Sequence, residues 1–160
     1  MTRPTKIEYY LKIAKDVAER SPCSRRQFGA VIVNNDSIIA TGYNGSVRGA
    51  PNCGIECLCL KDLHKEASYE SYDNCPAIHG EVNAILNAAR IGISVLGATL
   101  YLSSFKEGNG DRPCHLCRRV IINSGIKDCY FITKTGEVVH EQVESWIKFE
   151  RDWIVQKGHF

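Results

Sequence analysis

A chain of 160 residues, 44% hydrophobic and 24% charged, is long enough to bury one substantial core and short for two, so a single domain over 1–160 is expected. Lys and Arg are spread along the chain and leave a formal net charge of only +2, which disfavours polymeric nucleic acid as a partner. There is no signal-peptide pattern and no apolar run near the roughly 20 residues of a membrane span, so a soluble cytoplasmic protein is expected, and its eight cysteines read as metal ligands rather than a disulfide framework.

Ile7, Tyr10, Leu11, Ala14, Val17 and Ala18 recur at helical spacing behind Thr5-x-x-Glu8, a capping box, which predicts a first helix from about Thr5 to Glu19 that ends at Ser21-Pro22. Phe28 to Val33 and Ser37 to Thr41, joined by Asn34-Asn35-Asp36, read as a hairpin of two buried strands. The stretch from Gly42 to Asn74 is polar, rich in Gly and Cys, and too long for an ordinary connection, which marks it as functional or metal-tied. Val82, Ile85, Leu86 and Ala89 line one face of a helix from about His79 to Arg90. A strand (Ala98 to Ser103), a Gly-containing loop, a helix (Cys114 to Ser124), a strand (Lys127 to Thr133) and a terminal helix (His140 to about Gln156) complete the chain. With one weak further strand candidate in the C-terminal half, this is a three-layer α/β arrangement on a sheet of about five strands.

Cys114-His115-Leu116-Cys117 follows Pro113 at a predicted helix start, where backbone N–H groups and the helix dipole favour the thiolates that zinc requires. Alone, this C-x-x-C reads equally as a redox pair or half of a zinc knuckle. His79-Gly80-Glu81 opens the other predicted helix and breaks the tie, because an imidazole and a carboxylate can then converge on the same ion. The ligands His79, Cys114 and Cys117 leave a fourth tetrahedral position for water, as catalytic rather than structural zinc does. A histidine merely hydrogen-bonded in the core is the bland alternative for His79, and it loses weight once Glu81 and both cysteines are considered with it. Hydrolysis by a zinc-bound water needs a group within reach that takes up and delivers protons, and Glu81 is the candidate. The spacing H-x-E…P-C-x-x-C is the signature of zinc deaminases.

A wider likeness extends from those residues. Phe28-Gly29-Ala30-Val31-Ile32-Val33, Thr41-Gly42-Tyr43-Asn44-Gly45, Pro51-Asn52-Cys53, His79-Gly80-Glu81-Val82-Asn83-Ala84-Ile85 through Ala89-Arg90, and Gly97-Ala98-Thr99-Leu100-Tyr101 leading to Pro113-Cys114 resemble the deoxycytidylate (dCMP) deaminase family over about Ile7 to Thr133. The resemblance implies the cytidine-deaminase-like α/β/α fold with a mixed five-stranded sheet, conversion of dCMP to dUMP, and a homo-oligomer, commonly a hexamer, regulated by dCTP and dTTP near Tyr43, Asn44 and Gly45. It also implies a second, structural zinc on Cys23, Cys53 and Cys75, with Cys59 as fourth ligand and His64 or Cys57 as substitutes; buried free thiols are the other reading. Asn44 resembles a position that hydrogen-bonds sugar or phosphate, or is a turn residue tolerant of left-handed geometry. Arg25, Arg26 and Gln27 resemble the loop beside the pocket, or form a solvated basic surface. Arg90 matches an arginine associated with the 5′-phosphate, or caps its helix; it lies about 16 Å along the axis from His79 at 1.5 Å per residue.

Two departures stand out. Gly80 replaces the family's usual Ala, which adds backbone freedom without removing a ligand. The segment from Ser103 to Arg112 is longer than the usual join and is expected to reshape the base pocket, which brings in 5-substituted deoxycytidylates. The runner-up is an RNA-base deaminase of the tRNA adenosine type, which shares the metal motif but fits the weak charge and the Tyr-Asn-Gly segment less well. A non-enzymatic zinc-stapled binding protein is the third reading.

Overall fold

The computed structural model describes residues 2–63 and 75–158. Helix α1 (Lys6–Glu19) begins at the capping box: Thr5 Oγ1 accepts from the Glu8 N–H at 3.2 Å, and Glu8 Oε2 accepts from the Thr5 N–H at 2.7 Å. Strands β1 (Phe28–Asn34) and β2 (Ser37–Tyr43) form the hairpin, turning through Asn35 and Asp36, both at positive φ (46° and 62°). Two consecutive left-handed residues suit a two-residue turn, and Asn and Asp tolerate that conformation best among side-chain-bearing residues. The expectation that both strands are buried holds for β1 alone. β2 is an edge strand whose residues are largely exposed until Ala40 and Gly42, so its apolar look misleads.

The long connection carries β3 (Gly45–Ser46), a single turn α2 (Leu60–Leu63) and β4 (Ala77–Ile78), with β3 and β4 paired as a separate two-stranded ribbon. Then follow α3 (Gly80–Arg90), β5 (Thr99–Ser104), α4 (His115–Ser124), β6 (Asp128–Ile132), β7 (Val138–Gln142) and α5 (Val143–Lys157). The sheet order is β2-β1-β5-β6-β7, antiparallel throughout except for the parallel pair β5/β6. That parallel pair needs a crossover, and α4 supplies it. The terminal helix starts later than expected: His140, Glu141 and Gln142 lie in β7, where they pair with Tyr130, Cys129 and Asp128. The weak fifth strand and the front of the predicted helix thus overlapped in sequence, and ladder pairing to β6 decided between them.

Side chains alternate across the central strands. Val31, Val33 and Tyr101 point to α1, where they pack with Tyr10, Leu11 and Ala14. Ala30, Ile32, Leu100, Leu102, Cys129 and Phe131 point the other way, onto Ala84 and Ala88 of α3, Cys117 and Ile121 of α4, and Val143 and Trp146 of α5. Burial on both faces explains the unbroken apolar run of β1. Among the described residues, no helix is long and apolar enough to cross a membrane.

Two glycines set the helix-to-sheet distances. A Cβ on Gly29 would stand 2.1 Å from the Ala14 carbonyl oxygen, and one on Gly42 would stand 2.2 Å from the Ala84 nitrogen and 2.6 Å from the Gly80 carbonyl oxygen. These obstacles are backbone atoms and cannot rotate away. Gly42→Ala is therefore expected to destabilise the protein by about 1–3 kcal/mol, as overpacked cores do, read as a lower urea midpoint.

Candidate metal centre and pocket

Two helix starts converge on one point. His79 is the N-cap of α3 in extended conformation, and its side chain makes no capping bond, so the imidazole is left to face elsewhere. It is held from both sides: β4 pairs with β3 just before it, and Asn83 Nδ2 donates to the carbonyls of Tyr43 (2.8 Å) and Ile78 (3.3 Å) just after it. One turn further along α3, Asn87 Nδ2 donates to the Thr41 carbonyl at 2.8 Å. Cys114 is the N-cap of α4, and its sulfur accepts from the Cys117 N–H at 3.5 Å.

The result is a cluster in which His79 Nδ1 lies 3.5 Å from Cys114 Sγ and 3.2 Å from Cys117 Sγ. All three donor atoms fall within 4.8 Å of one another. Metal–nitrogen and metal–sulfur bonds of about 2.0 and 2.3 Å in a tetrahedron put N and S about 3.5 Å apart, so one nitrogen and two soft sulfurs at these spacings fit zinc. Among the described residues no other three His, Cys, Asp or Glu side chains come this close.

Glu81, two residues into α3, is 4% exposed. Burial pushes its carboxyl above the usual carboxylate range, opposed by the His79 charge. His79 is itself raised, chiefly by its hydrogen bond to Cys114 against the effect of burial. Cys114 is drawn down to about 3, first by the hydrogen bond from Cys117 and then, against burial, by His79, while Cys117 is driven up by the neighbouring Cys114 and by burial. Without a metal the two sulfurs thus pull each other's proton affinity in opposite directions, chiefly through the hydrogen bond they share. A bound cation removes that conflict and favours both thiolates.

Beside the cluster lies a cleft of about 100 Å³ with His79 and Glu81 on one wall and Arg25, Arg26, Phe28, Asn44 and Lys61 among the rest. Asn44 is not in left-handed conformation, and it lines the cleft. It is buried, its Oδ1 accepts from the Phe28 N–H (2.7 Å), its Nδ2 donates to the Arg26 carbonyl (2.8 Å), and its own carbonyl accepts from Ser21 Oγ (2.7 Å). It therefore fixes the loop that carries Arg26. Arg25 pairs with Asp62 at 3.5 Å.

Other expectations fall elsewhere. Arg90, at the far end of α3, lines a different groove with Tyr43, Gly45, Arg48 and Asn83. The 11-residue helix sets that separation, so Arg90 does not reach the cleft of its own chain. The Ser103–Arg112 segment borders a third cavity, with Lys15 and Lys134, and none of it lines the cleft. Gly80 sits where a Cβ would come 3.1 Å from the Phe28 carbonyl oxygen, so it permits close approach at the helix start as well as backbone freedom. Cys23, Cys53, Cys59 and Cys75 are not gathered as a metal quartet. Cys23 and Cys75 line the cleft, while burial and the adjacent Cys59 push the Cys53 thiol up to about 11. Cys57 is exposed, and His64 lies outside the described residues. Lys61, 5% exposed on α2, escaped the sequence reading because lysine carries no expectation of burial.

Comparison with known proteins agrees with this geometry. Residues 4–133 match the family described as the cytidine and deoxycytidylate deaminase zinc-binding region. The chain belongs to that family. The deoxycytidylate deaminase of Mycobacterium phage D29 is 37% identical over 132 residues, covering 79% of this chain and 94% of the phage protein. The Schizosaccharomyces pombe deoxycytidylate deaminase is 35% identical over 131 residues, covering 82% of this chain but only 38% of the longer yeast protein. The crystal structure of dCMP deaminase from cyanophage S-TIM5 in complex with dCMP and dUMP superposes with a TM-score of 0.60 at 29% identity, covering 82% of this chain and 83% of that one. β7 and α5 lie beyond the matched region.

The raised carboxyl of Glu81 has a stability consequence of definite sign. As pH climbs from the ordinary value of 4.5 toward the raised folded value, the unfolded chain ionises first, so this group lowers stability over that window. In zinc-stripped protein, Glu81→Gln should therefore raise Tm at neutral pH, with the gain shrinking as pH falls toward 4.5, where both states hold the proton.

Proposed function

We propose that this chain catalyses the zinc-dependent hydrolytic deamination of dCMP, or of a 5-substituted dCMP, to the corresponding dUMP and ammonia. The observation that carries the reading is the His79, Cys114 and Cys117 cluster with the buried Glu81 beside it at the wall of a cleft. His79 Nδ1 and the two sulfurs would hold the ion; when bound, zinc supplies Lewis acidity that lowers the pKa of a water toward about 7. Glu81 does the proton work: its carboxylate takes the proton that the water gives up on attacking C4 and passes it to N3. The carboxylate then takes the remaining proton from the new C4 hydroxyl and gives it to the exocyclic amine as the C4–N bond breaks, so C4 becomes a carbonyl, ammonia leaves and the carboxylate is restored. Burial raises that carboxyl above the usual carboxylate range, which strengthens it as a proton acceptor.

A panel from cytosine to dCTP, with 5-substituted members and a tRNA substrate, should release ammonia fastest from a monophosphate; release from the RNA base alone would replace this reading by the runner-up. Glu81→Gln should keep zinc and lose turnover by about 10²-fold or more, as loss of a general acid–base group does, whereas His79→Ala should lose zinc.

The remaining features of this reading rest on the family. A second zinc on Cys23, Cys53, Cys59 and Cys75 is supported by the proximity of Cys53 to Cys59; it requires a shift of the connecting loop that metal binding would drive. Two zinc ions per purified chain are expected, and one would return these residues to free thiols. A cytoplasmic location fits eight free thiols. Assembly as a homo-oligomer, with dCTP and dTTP as effectors, is supported by the groove containing Arg48 and Arg90 beside Tyr43 and Gly45.

A further inference from the structure

Cys114 and Cys117 supply two of the three donor atoms from the first turn of α4. Helix ends fray most readily, because their first N–H groups lack intrahelical partners. Two ion pairs flank this turn. Arg112, just before Pro113 and Cys114, places Nε 3.0 Å and 3.2 Å from the two carboxylate oxygens of Glu141. Arg119, just beyond Cys117, places Nε 3.0 Å from Glu150 Oε2. Both carboxylates come from the C-terminal segment, Glu141 from β7 and Glu150 from α5, beyond the region that matches the family. Glu141 is itself held, since its Oε2 accepts from Trp146 Nε1 at 2.6 Å, and Trp146 is buried in the same core cluster as Cys117. Between the two pairs, Arg118 is buried with its guanidinium carbon 5.5 Å from the centre of the Phe149 ring, and its Nη2 lies 2.8 Å from His115 Nδ1. None of these side chains lines the cleft beside His79 and Glu81, so contact with a substrate there does not account for them.

We infer that Glu141 and Glu150 are positioning residues for the metal: through Arg112 and Arg119 they brace the start of α4, so that Cys114 and Cys117 stand ready for zinc and retain it. The brace rests on the zinc reading of His79, Cys114 and Cys117 given above. One residue before Arg112 the chain is already tied down, because the Asp111 N–H donates to the Ile132 carbonyl at 2.8 Å and Asp111 Oδ2 accepts from the Ser104 N–H at 2.9 Å. The span left to be fixed is Arg112 to Arg119, and the two pairs hold its two ends. A single pair would leave the turn free to pivot about one point. Donor atoms that are ordered in advance meet their entropy cost on folding, whereas donor atoms on a frayed turn meet it each time the ion binds. The arginine side chains are about half exposed, 53% for Arg112 and 46% for Arg119, and ion pairs with that much solvent access add little to global stability. Loss of either pair therefore loosens the α4 start more than the fold, which separates a brace from a merely structural contact.

The test follows zinc leaving the loaded full chain into an excess of a chromogenic chelator. It also follows hydrogen exchange at the Cys117 and Arg118 amides, which bond to Cys114, in zinc-stripped protein. Wild type is compared with Glu141→Gln and Glu150→Gln, and Glu107→Gln serves as the control, since the Lys15–Glu107 pair at 3.1 Å lies away from the cluster. Each of the two variants should release zinc about ten-fold faster or more, as loss of support behind metal ligands does, and should speed exchange at those amides. The Tm of the zinc-stripped variants should move no further than that of the control. Arg112→Met should match Glu141→Gln, the two combined should add nothing further, and Arg112→Lys should recover most of the loss. Should Glu141→Gln fail to fold, Arg112→Met removes the same pair from its more exposed side. Unchanged zinc release overturns the brace, and so does faster release accompanied by a Tm lowered beyond the control. Wild-type protein that holds zinc yet releases no ammonia from any cytosine compound would sink the deaminase reading and leave the brace standing; an active enzyme whose variants keep zinc as well as wild type removes the brace alone.

Discussion

The metal cluster depends on how closely α3 can lie on an edge strand. β2 has a neighbour on one side only, and its outward carbonyls at Thr41 and Tyr43 would otherwise be left to solvent or to another chain. The Asn83 and Asn87 amides, one helical turn apart, take those two acceptors, and Gly42 removes the Cβ that would hold the helix off. Once α3 is seated, the position of its first turn is no longer adjustable, and His79 is delivered to a fixed point in front of β1. α4 reaches that point independently, because the β5/β6 crossover must start at the end of β5. Three donor atoms from two helix starts then meet without either helix bending to do so.

That meeting is costly in the protein alone. An imidazole, two sulfurs and a carboxyl share a space from which water is largely excluded, and each shifts the proton affinity of the others. A hydrophobic set of the same volume would pack with less strain. Such a concentration of mutually opposed groups is where a fold departs from the rules that maximise stability, and it is a mark of chemistry rather than architecture.

The cluster was legible in the sequence because ligand chemistry is discrete: His79, Cys114 and Cys117 are identified by type and spacing, and helix starts are marked by the residues that begin them. The capped α1 and the apolar β1 were legible for the same local reason. What escaped was whatever depended on the partner across space. Ser37 to Thr41 looks buried until it proves to be the last strand of the sheet, and His140 to Gln142 suits a helix until β6 offers a ladder. Arg90 matches a motif in one dimension but is carried by a straight helix to another groove. The long Ser103–Arg112 segment precedes two ligands in sequence and yet borders a cavity with α1, and Lys61 joins the cleft from α2, far from either ligand motif in sequence.

The sheet order carries a kinetic consequence. β1 meets β2 across a two-residue turn, so that hairpin and the capped α1 can form early from local contacts alone. The other neighbour of β1 is β5, with Phe28 opposite Ser104, and that pairing must close a loop containing the whole cysteine-rich connection and α3. Closure of so long a loop is an entropic cost met before any contact repays it. His79 lies inside that loop and Cys114 just outside it, so the metal ligands come together only after the slowest pairing has been made. An ion added to the unfolded chain meets scattered thiols instead, and the order in which metal and chain are mixed should govern how much correctly folded protein is recovered.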